Sequence, residues 1–380
     1  LPMGADAQVA QREAVARVTV LGSLGGGPSR ATAINDRGHV VGATSTTDGS
    51  SRAFLWSQRG RMTDLGRAGA VSAAVAIADN GQVVGESSPG AGVRRGFSWT
   101  RAGGLVEIGS GYVQVVGVSE HGHVVGTGGW GAPPMECGNR AFAWTAAGGM
   151  VSGGHIAPGR CPGSRATAVN DGGTVVGTAP SGYGSEQAFV WYPRPFGGGY
   201  RLPSLDYYGP TSAADISNTG HIVGWGQSPA RTRHAVVWTA SGEIVDLGTL
   251  GGADSAALAV SDTGQVIGTS QTADGSEHGF SWTAEGGMVD LGPLGAYGRP
   301  TAVNECGQVV GHSFTEAGGS RAFLWSSATG RVDLTLRAGA AGAAAAINDR
   351  GQIVGWSETM SGEPIAVLWK IRGCSQQDDA

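Results

Sequence analysis

A ten-residue stretch near the start of the chain, AINDRGHVVG, returns near its end as AINDRGQIVG, and related copies lie between them. Each copy has a turn glycine, one variable residue, two residues from Val and Ile, and a second glycine. The eight turn glycines are Gly38, Gly81, Gly122, Gly173, Gly220, Gly264, Gly307 and Gly351. This repeat limits the possible folds strongly, because each unit has to bury its apolar face against its neighbours.

A tryptophan marks the same eight copies. It lies 18 residues after the turn glycine in seven of them and 22 residues after it in the third. The tryptophans are Trp56, Trp99, Trp144, Trp191, Trp238, Trp282, Trp325 and Trp369. Each copy contains four short segments, which are RATAIND, HVVGATS, RAFLWS and RMTDLG in the first. Their alternation with period two predicts strands, and the Asn/Asp-x-Gly turn predicts a hairpin between the first two.

Four strands in a unit of about 40 to 50 residues are typical of a β-propeller blade, whereas a β-solenoid has shorter repeats. The sequence therefore predicts an all-β, eight-bladed β-propeller with four-stranded blades. The last copy ends after its third strand, AVLWK at 366–370, while VTVLG at 18–22 matches the fourth strands of other copies. We expect the N-terminal strand to complete the last blade and close the ring, which leaves no open edge.

The predicted organisation is an N-terminal tail at 1–16, one propeller domain at 17–373 and a C-terminal tail at 374–380. With 69 glycines, 14% charged residues and a formal net charge of −5, the chain fits neither a helical bundle nor a disordered polyelectrolyte. Glycine interrupts every Val/Ile run, and like charges do not cluster. We therefore expect no nucleic-acid partner, no membrane insertion and a monomer. Motifs for nucleotides, zinc or calcium are missing, so no cofactor or metal is expected.

Departures from the repeat are the candidates for a functional site, since the shared positions build the scaffold. The loops from strand 2 to strand 3 and from strand 4 to strand 1 emerge on one face, called upper here, around the channel mouth. Five residues before the turn glycine, seven copies have Ala or Gly and the fifth has Asp215. A buried carboxylate has to be hydrogen-bonded, hydrated or protonated. Asp215 is therefore a candidate acid or base, or alternatively a carboxylate held by hydroxyls and backbone N–H groups.

The position after Val-Val-Gly in strand 2 is Ala or Thr in four copies only. The four exceptions are Glu86, Trp225, His312 and Trp356. At equivalent heights these side chains are expected to project toward one mouth, with indoles as apolar platforms beside two proton-transfer groups. Alternatively, the indoles fill gaps between blades and the other two are ordinary rim residues.

Arginines form a third set, eight residues before the turn glycine of copies 1, 4 and 7. They are Arg30, Arg165 and Arg299. Together they are suited to a carboxylate or phosphate, or else they are solvated and paired with nearby acids. Two inserted segments, at 128–137 and 153–163, are expected to form a lid. Together with the junction at 205–209, they add side chains suited to binding a sugar or an apolar molecule. These are Trp130, His155, Tyr207 and Tyr208.

The four cysteines fall into two pairs on this plan. Cys137 and Cys161 lie on the inserted upper loops, while Cys306 and Cys374 lie on the lower face of neighbouring blades. We expect two disulfides, which would favour an oxidising compartment.

The units also resemble the HAF repeat of the probable extracellular repeat family. The resemblance rests on HAVVW at 234–238, RAFLW at 52–56 and 321–325, and DLGTLGG at 246–252, and it extends over about residues 18–372. It implies a secreted, extracytoplasmic protein, with a cytoplasmic location as the alternative. It implies no catalytic residues, because a fold does not determine a function.

These features predict binding of a small, partly apolar molecule or a glycan at the upper mouth of the channel. One alternative is a cofactor-independent enzyme, a cyclase, isomerase or lyase of the kind found in secondary metabolism. In that enzyme Asp215, Glu86 or His312 would transfer protons, and tryptophans at 130, 225 and 356 would shape the substrate. A second alternative is a protein-interaction platform on the rim.

Overall fold

The structure is a computed structural model. It describes residues 17–372 except 67–70, 89–93, 110, 131–136, 154–162, 182–184, 194–196, 208, 296–297, 316–317, 335 and 337–339, and it leaves out the side chains of Trp130 and Cys137. The described residues form eight four-stranded antiparallel sheets, which are the blades of a β-propeller. This confirms the predicted fold. Nowhere in these ranges does a helix reach the length and apolar character needed to span a bilayer.

The strands of blades 1 to 4 are given from the channel outward. Blade 1 has β2 Ser29–Ile34, β3 Val40–Ser45, β4 Ser51–Ser57 and β5 Arg61–Asp64. Blade 2 has β6 Val71–Ile77, β7 Val83–Ser88, β8 Arg95–Thr100 and β9 Gly104–Ile108. Blade 3 has β10 Val113–Val118, β11 Val124–Trp130, β12 Cys137–Thr145 and β13 Gly149–Ser152. Blade 4 has β14 Arg165–Val169, β15 Val175–Pro180, β16 Glu186–Tyr192 and β17 Gly198–Arg201.

Blades 5 to 8 follow the same order. Blade 5 has β18 Thr211–Ile216, β19 Ile222–Gln227, β20 Arg233–Trp238 and β21 Ile244–Asp246. Blade 6 has β22 Gly251–Val260, β23 Val266–Thr272, β24 Glu277–Thr283 and β25 Gly287–Pro293. Blade 7 has β26 Arg299–Val303, β27 Val309–Phe314, β28 Ser320–Ser326 and β29 Gly330–Asp333. Blade 8 has β30 Gly342–Ile347, β31 Gln352–Glu358, β32 Pro364–Lys370 and, outermost, β1 Arg17–Gly22.

The N-terminal strand closes the ring. β1 pairs antiparallel with β32 and places Val18 opposite Trp369, the same register that places Met288 opposite Trp282 in blade 6. The innermost strand of blade 8, β30, contacts the innermost strands of both blade 7 and blade 1. The expected closure by the first strand is therefore present.

Every innermost strand contains a β-bulge in its middle, where the register with the second strand shifts by one residue. The bulge brings an inner-strand carbonyl close to the second glycine of the repeat. A Cβ on that glycine would lie between 1.9 and 2.4 Å from the carbonyl oxygen in all eight blades. The Val-Val-Gly of the repeat is thus a steric requirement of the bulged strand.

The turn glycines also have a conformational reason. In the turn between β2 and β3, the N–H of Gly38 donates to the Asn35 carbonyl at 2.9 Å, and Gly38 has φ of 75°. All eight turn glycines have φ between 67° and 88°, which only glycine adopts at little cost.

The core lies between blades. Ala53 and Leu55 of blade 1, for example, pack with Ala74, Val83 and Phe97 of blade 2. Each of the eight junctions has such an apolar cluster, and the cluster between blades 8 and 1 includes Leu21 of the N-terminal strand. The blades therefore depend on one another for burial of apolar surface, as in other repeat proteins.

Of the four cysteines, Cys306 is the one whose side chain the structure describes, and it is disulfide-bonded. Cys161 and Cys374 lie outside the described residues.

Candidate functional site

The upper mouth contains a cavity of about 440 Å³ between the inner strands of blades 6, 7 and 8. Three residues that depart from the repeat line it: Arg299, His312 and Trp356. They belong to the arginine set and to the set that follows Val-Val-Gly. The strand register places the two repeat positions directly opposite each other, and blade 7 is the one blade in which both positions carry a member of these sets.

Arg299 and His312 are the cross-strand pair of blade 7. Directly opposed residues project from the same face of a sheet, so the two side chains are neighbours. His312 is half-buried, and its ring packs edge-on against Phe314 with 5.9 Å between centroids. Arg299 is exposed, and within the described part of the chain its guanidinium makes no hydrogen bond or ion pair.

Trp356 comes from blade 8, where it lies across the strand pair from Ala343. Its half-buried indole is covered by Arg30 of blade 1, whose guanidinium carbon lies 4.1 Å from the ring centroid. Partial burial lowers the pKa of Arg30. This cation–π contact joins the last blade to the first and holds the indole in place.

The rest of the described lining, called the floor here, is largely apolar. It consists of Leu258, Pro300 and the alanines at 343–345, together with Thr301. The Thr301 hydroxyl lies 3.0 Å from the Ala344 carbonyl and 3.2 Å from the Val310 carbonyl, so its proton is already engaged. None of the described lining residues is acidic.

Two glycines that sequence reasoning missed mark the junctions beside this cavity. In five other junctions a Ser or Thr hydroxyl, nine residues before the turn glycine, accepts a hydrogen bond from a third-strand N–H of the preceding blade. The five hydroxyl residues are Ser29, Ser72, Ser164, Thr211 and Ser255. Blades 7 and 8 have Gly298 and Gly342 at this position. The available signal was the loss of a repeated hydroxyl in two consecutive copies.

The structure does not bring Glu86 and Trp225 to this cavity. Glu86 lies in blade 2 and forms an ion pair with Arg94 at 2.8 Å. Burial raises the pKa of Glu86, while Arg94 and a backbone hydrogen bond from Val115 oppose that rise. Trp225 lies in blade 5 under Arg233, with 4.6 Å between the guanidinium carbon and the ring centroid.

Asp215 lies at the bulge of β18, away from the described lining of the upper cavity. One carboxylate oxygen accepts a hydrogen bond from Ile216 N at 2.9 Å, and the other accepts one from Val260 N of blade 6 at 3.1 Å. Burial raises the pKa of Asp215 to about 6, with both hydrogen bonds opposing the rise and Asp262 adding to it. This placement matches the alternative of a carboxylate held by backbone N–H groups, which here join two blades.

Of the remaining predicted residues, Arg165 is exposed at the upper end of blade 4, and Tyr207 is 83% exposed. His155, Tyr208 and the Trp130 side chain lie outside the described residues.

The lower mouth has a second cavity of about 530 Å³, surrounded by the strand 1–2 turns. One polar residue from each blade forms a ring there: Asp36, Asp79, Glu120, Asp171, Asn218, Asp262, Glu305 and Asp349. Each accepts a hydrogen bond from the corresponding N–H of the preceding blade, and the circle closes with Asp349 N donating to Asp36 at 3.3 Å. Burial raises the pKa of Asp36 and Glu120. The ring thus connects the blades. The described residues contain no cluster of His, Cys, Asp or Glu that could hold a metal ion.

No protein-family model and no curated protein matches this chain. Solved structures are similar in fold. The β-propeller domain of the Trilobed protease from Pyrococcus furiosus, which has an open velcro topology, has a TM-score of 0.50 at 11% identity over 81% of this chain and 98% of that chain. Acylaminoacyl peptidase from Pyrococcus horikoshii has a TM-score of 0.50 at 10% identity over 87% of this chain and 58% of that chain. At such identities the similarity shows the propeller fold alone.

Proposed function

We propose that this protein binds a small, partly apolar molecule in the cavity at the upper mouth. The observation that carries the proposal is the meeting of Arg299, His312 and Trp356 around one cavity of about 440 Å³. A largely apolar lining with a few convergent polar groups is the usual arrangement of small-molecule sites, and this volume lies in their size range.

The arrangement supports binding better than acid–base catalysis. Of the three predicted proton-transfer groups, only His312 lines the cavity. Asp215 accepts hydrogen bonds from one backbone N–H of blade 5 and one of blade 6, and Glu86 is paired with Arg94 in blade 2. A general acid and a general base have to reach the same substrate, and neither Asp215 nor Glu86 is among the described residues that line this cavity.

The concave lining also favours a small molecule over a protein partner, which needs a broad rim surface. An extracytoplasmic location and membership of the HAF-repeat family stay predictions. The disulfide at Cys306 supports the first of these, since disulfides persist in oxidising compartments.

Filling the cavity from its floor tests the function. In the Ala343→Trp variant the new indole would occupy the cavity, and the scaffold should accommodate it because the same repeat position is Arg in blades 1, 4 and 7. Ala73→Trp, at the same position in blade 2, is the matched control. We expect fragments that bind the wild-type chain and the control to lose binding to Ala343→Trp in saturation-transfer NMR. A fragment library that binds none of the three proteins, or all three equally, would contradict the proposal.

A further inference from the structure

One wall of the upper cavity carries the guanidinium of Arg299, and none of the described lining residues brings a carboxylate to it. The guanidinium of Arg299 makes no hydrogen bond or ion pair with the described residues, His312 lies beside it, and the described lining contains no carboxylate. By contrast, Arg94 and Arg95 in blade 2 are paired with Glu86 and Glu107, each at 2.8 Å. An arginine presents a rigid fork of N–H donors that fits a carboxylate with two parallel hydrogen bonds. This wall is therefore suited to an organic anion.

A second wall is flat and apolar. The Trp356 indole lines the cavity, and Arg30 lies against it at 4.1 Å, which restricts its orientation. An indole held in one orientation offers a planar surface on which a flat ligand stacks with little loss of side-chain entropy. The ligand should thus have a planar part beside its charged group.

The floor disfavours a sugar. Its side chains are Leu258, Pro300, three alanines and Thr301, and the Thr301 hydroxyl is engaged with two backbone carbonyls. Sugar hydroxyls that enter such a cavity lose water and need replacement partners, and each one left without a partner opposes binding. The described side chains of the floor supply no such partner.

We propose that the ligand of this cavity is a carboxylate on a flat apolar body, such as an aromatic acid, with the carboxylate at Arg299 and the flat body against Trp356. This proposal rests on the binding function proposed above, and it specifies the class of ligand. Arg30 acts as a positioning residue for the indole.

Three probes of similar size separate charge from shape: 2-naphthoate, its neutral amide 2-naphthamide, and the sugar acid glucuronate. In calorimetric titrations at low ionic strength we expect 2-naphthoate to bind at least about tenfold more tightly than either of the other two, as a charge-assisted hydrogen bond implies. Added salt should weaken the binding of 2-naphthoate and leave 2-naphthamide nearly unchanged.

Variants assign the effect to one side chain. Arg299→Gln should lower the affinity for 2-naphthoate about tenfold or more and leave that for 2-naphthamide within about twofold. Arg165→Gln, at the same repeat position in blade 4 and away from the cavity, should change neither. Melting temperatures of both variants establish that they are folded.

The outcomes separate the two proposals. Equal affinities for acid and amide, both lost in Ala343→Trp, would overturn the carboxylate and leave the binding function standing. Tighter binding of glucuronate than of 2-naphthoate would overturn the flat apolar body. If no probe binds although neutral fragments do, the ligand class is wrong; if nothing binds at all, both proposals fail.

Discussion

Gly126 in blade 3 is the second glycine of its repeat, and replacing it with alanine tests why the repeat contains a glycine there. A Cβ on Gly126 would lie 2.0 Å from the carbonyl oxygen of Gln114 and 2.8 Å from the Phe142 ring. Real Cβ atoms essentially never approach another heavy atom closer than 3.0 Å, so the two strands have to separate by about 1 Å. A change of rotamer cannot relieve the clash, because its partner is backbone.

Overpacking of this kind costs about 1–3 kcal/mol. Separation of β10 from β11 also weakens the adjacent ladder hydrogen bonds, at about 1 kcal/mol each. We therefore expect Gly126→Ala to lower the free energy of unfolding by about 3–5 kcal/mol. The matched control is Gly117→Ala in the inner strand of the same blade. Nothing lies within 4 Å of a Cβ there, and six other blades already have Ala at this position.

In the unfolded chain, alanine has fewer backbone conformations than glycine. Gly117→Ala should therefore be as stable as the wild type or up to about 1 kcal/mol more stable. Urea unfolding of both variants, followed by tryptophan fluorescence and circular dichroism, measures the difference. If Gly126→Ala unfolds at the same urea concentration as Gly117→Ala, the repeated glycine is not a steric requirement and the account of the bulge is wrong.

Two further predictions concern Asp215 and the closing strand. Because burial raises the pKa of Asp215 from 3.8 to about 6, the folded state binds this proton more tightly than the unfolded state, and the residue's contribution to stability falls as pH rises from about 4 to about 6. The free energy of unfolding of Asp215→Asn, measured relative to the wild type in urea, should therefore rise by up to about 3 kcal/mol between pH 4 and pH 7. A difference that does not change with pH would contradict the buried carboxylate. Leu21→Ala should lower the free energy of unfolding by about 2–4 kcal/mol, because Leu21 is buried between blades 8 and 1. A loss below about 1 kcal/mol would mean that the N-terminal strand adds little to the core.

Most of the fold was predictable because the requirements of each blade are local and are written eight times. The turn glycine, the glycine of Val-Val-Gly and the tryptophan locate the strands within a residue or two, as RAFLWS shows against the observed Ser51–Ser57. Ring closure was predictable as well, because residues 18–22 supply the one strand that the last copy lacks.

The sequence predicted the residues that line the candidate site, but it did not predict which of them lie together. Arg299 and His312 came from two separate sets, and the strand register makes them direct neighbours. Glu86 and Trp225 occupy the same repeat position as His312, yet each faces a different junction of the ring. Equivalence in the repeat implies equal height along the channel, but it does not imply contact.

By itself, the sequence determined the blade count, the strands and the strand that closes the ring, since short-range geometry and burial between similar units decide all of these. Only the tertiary structure decided which departures from the repeat share a cavity. That depends on the strand register that pairs Arg299 with His312, and on the closure that brings Arg30 of the first blade onto Trp356 of the last.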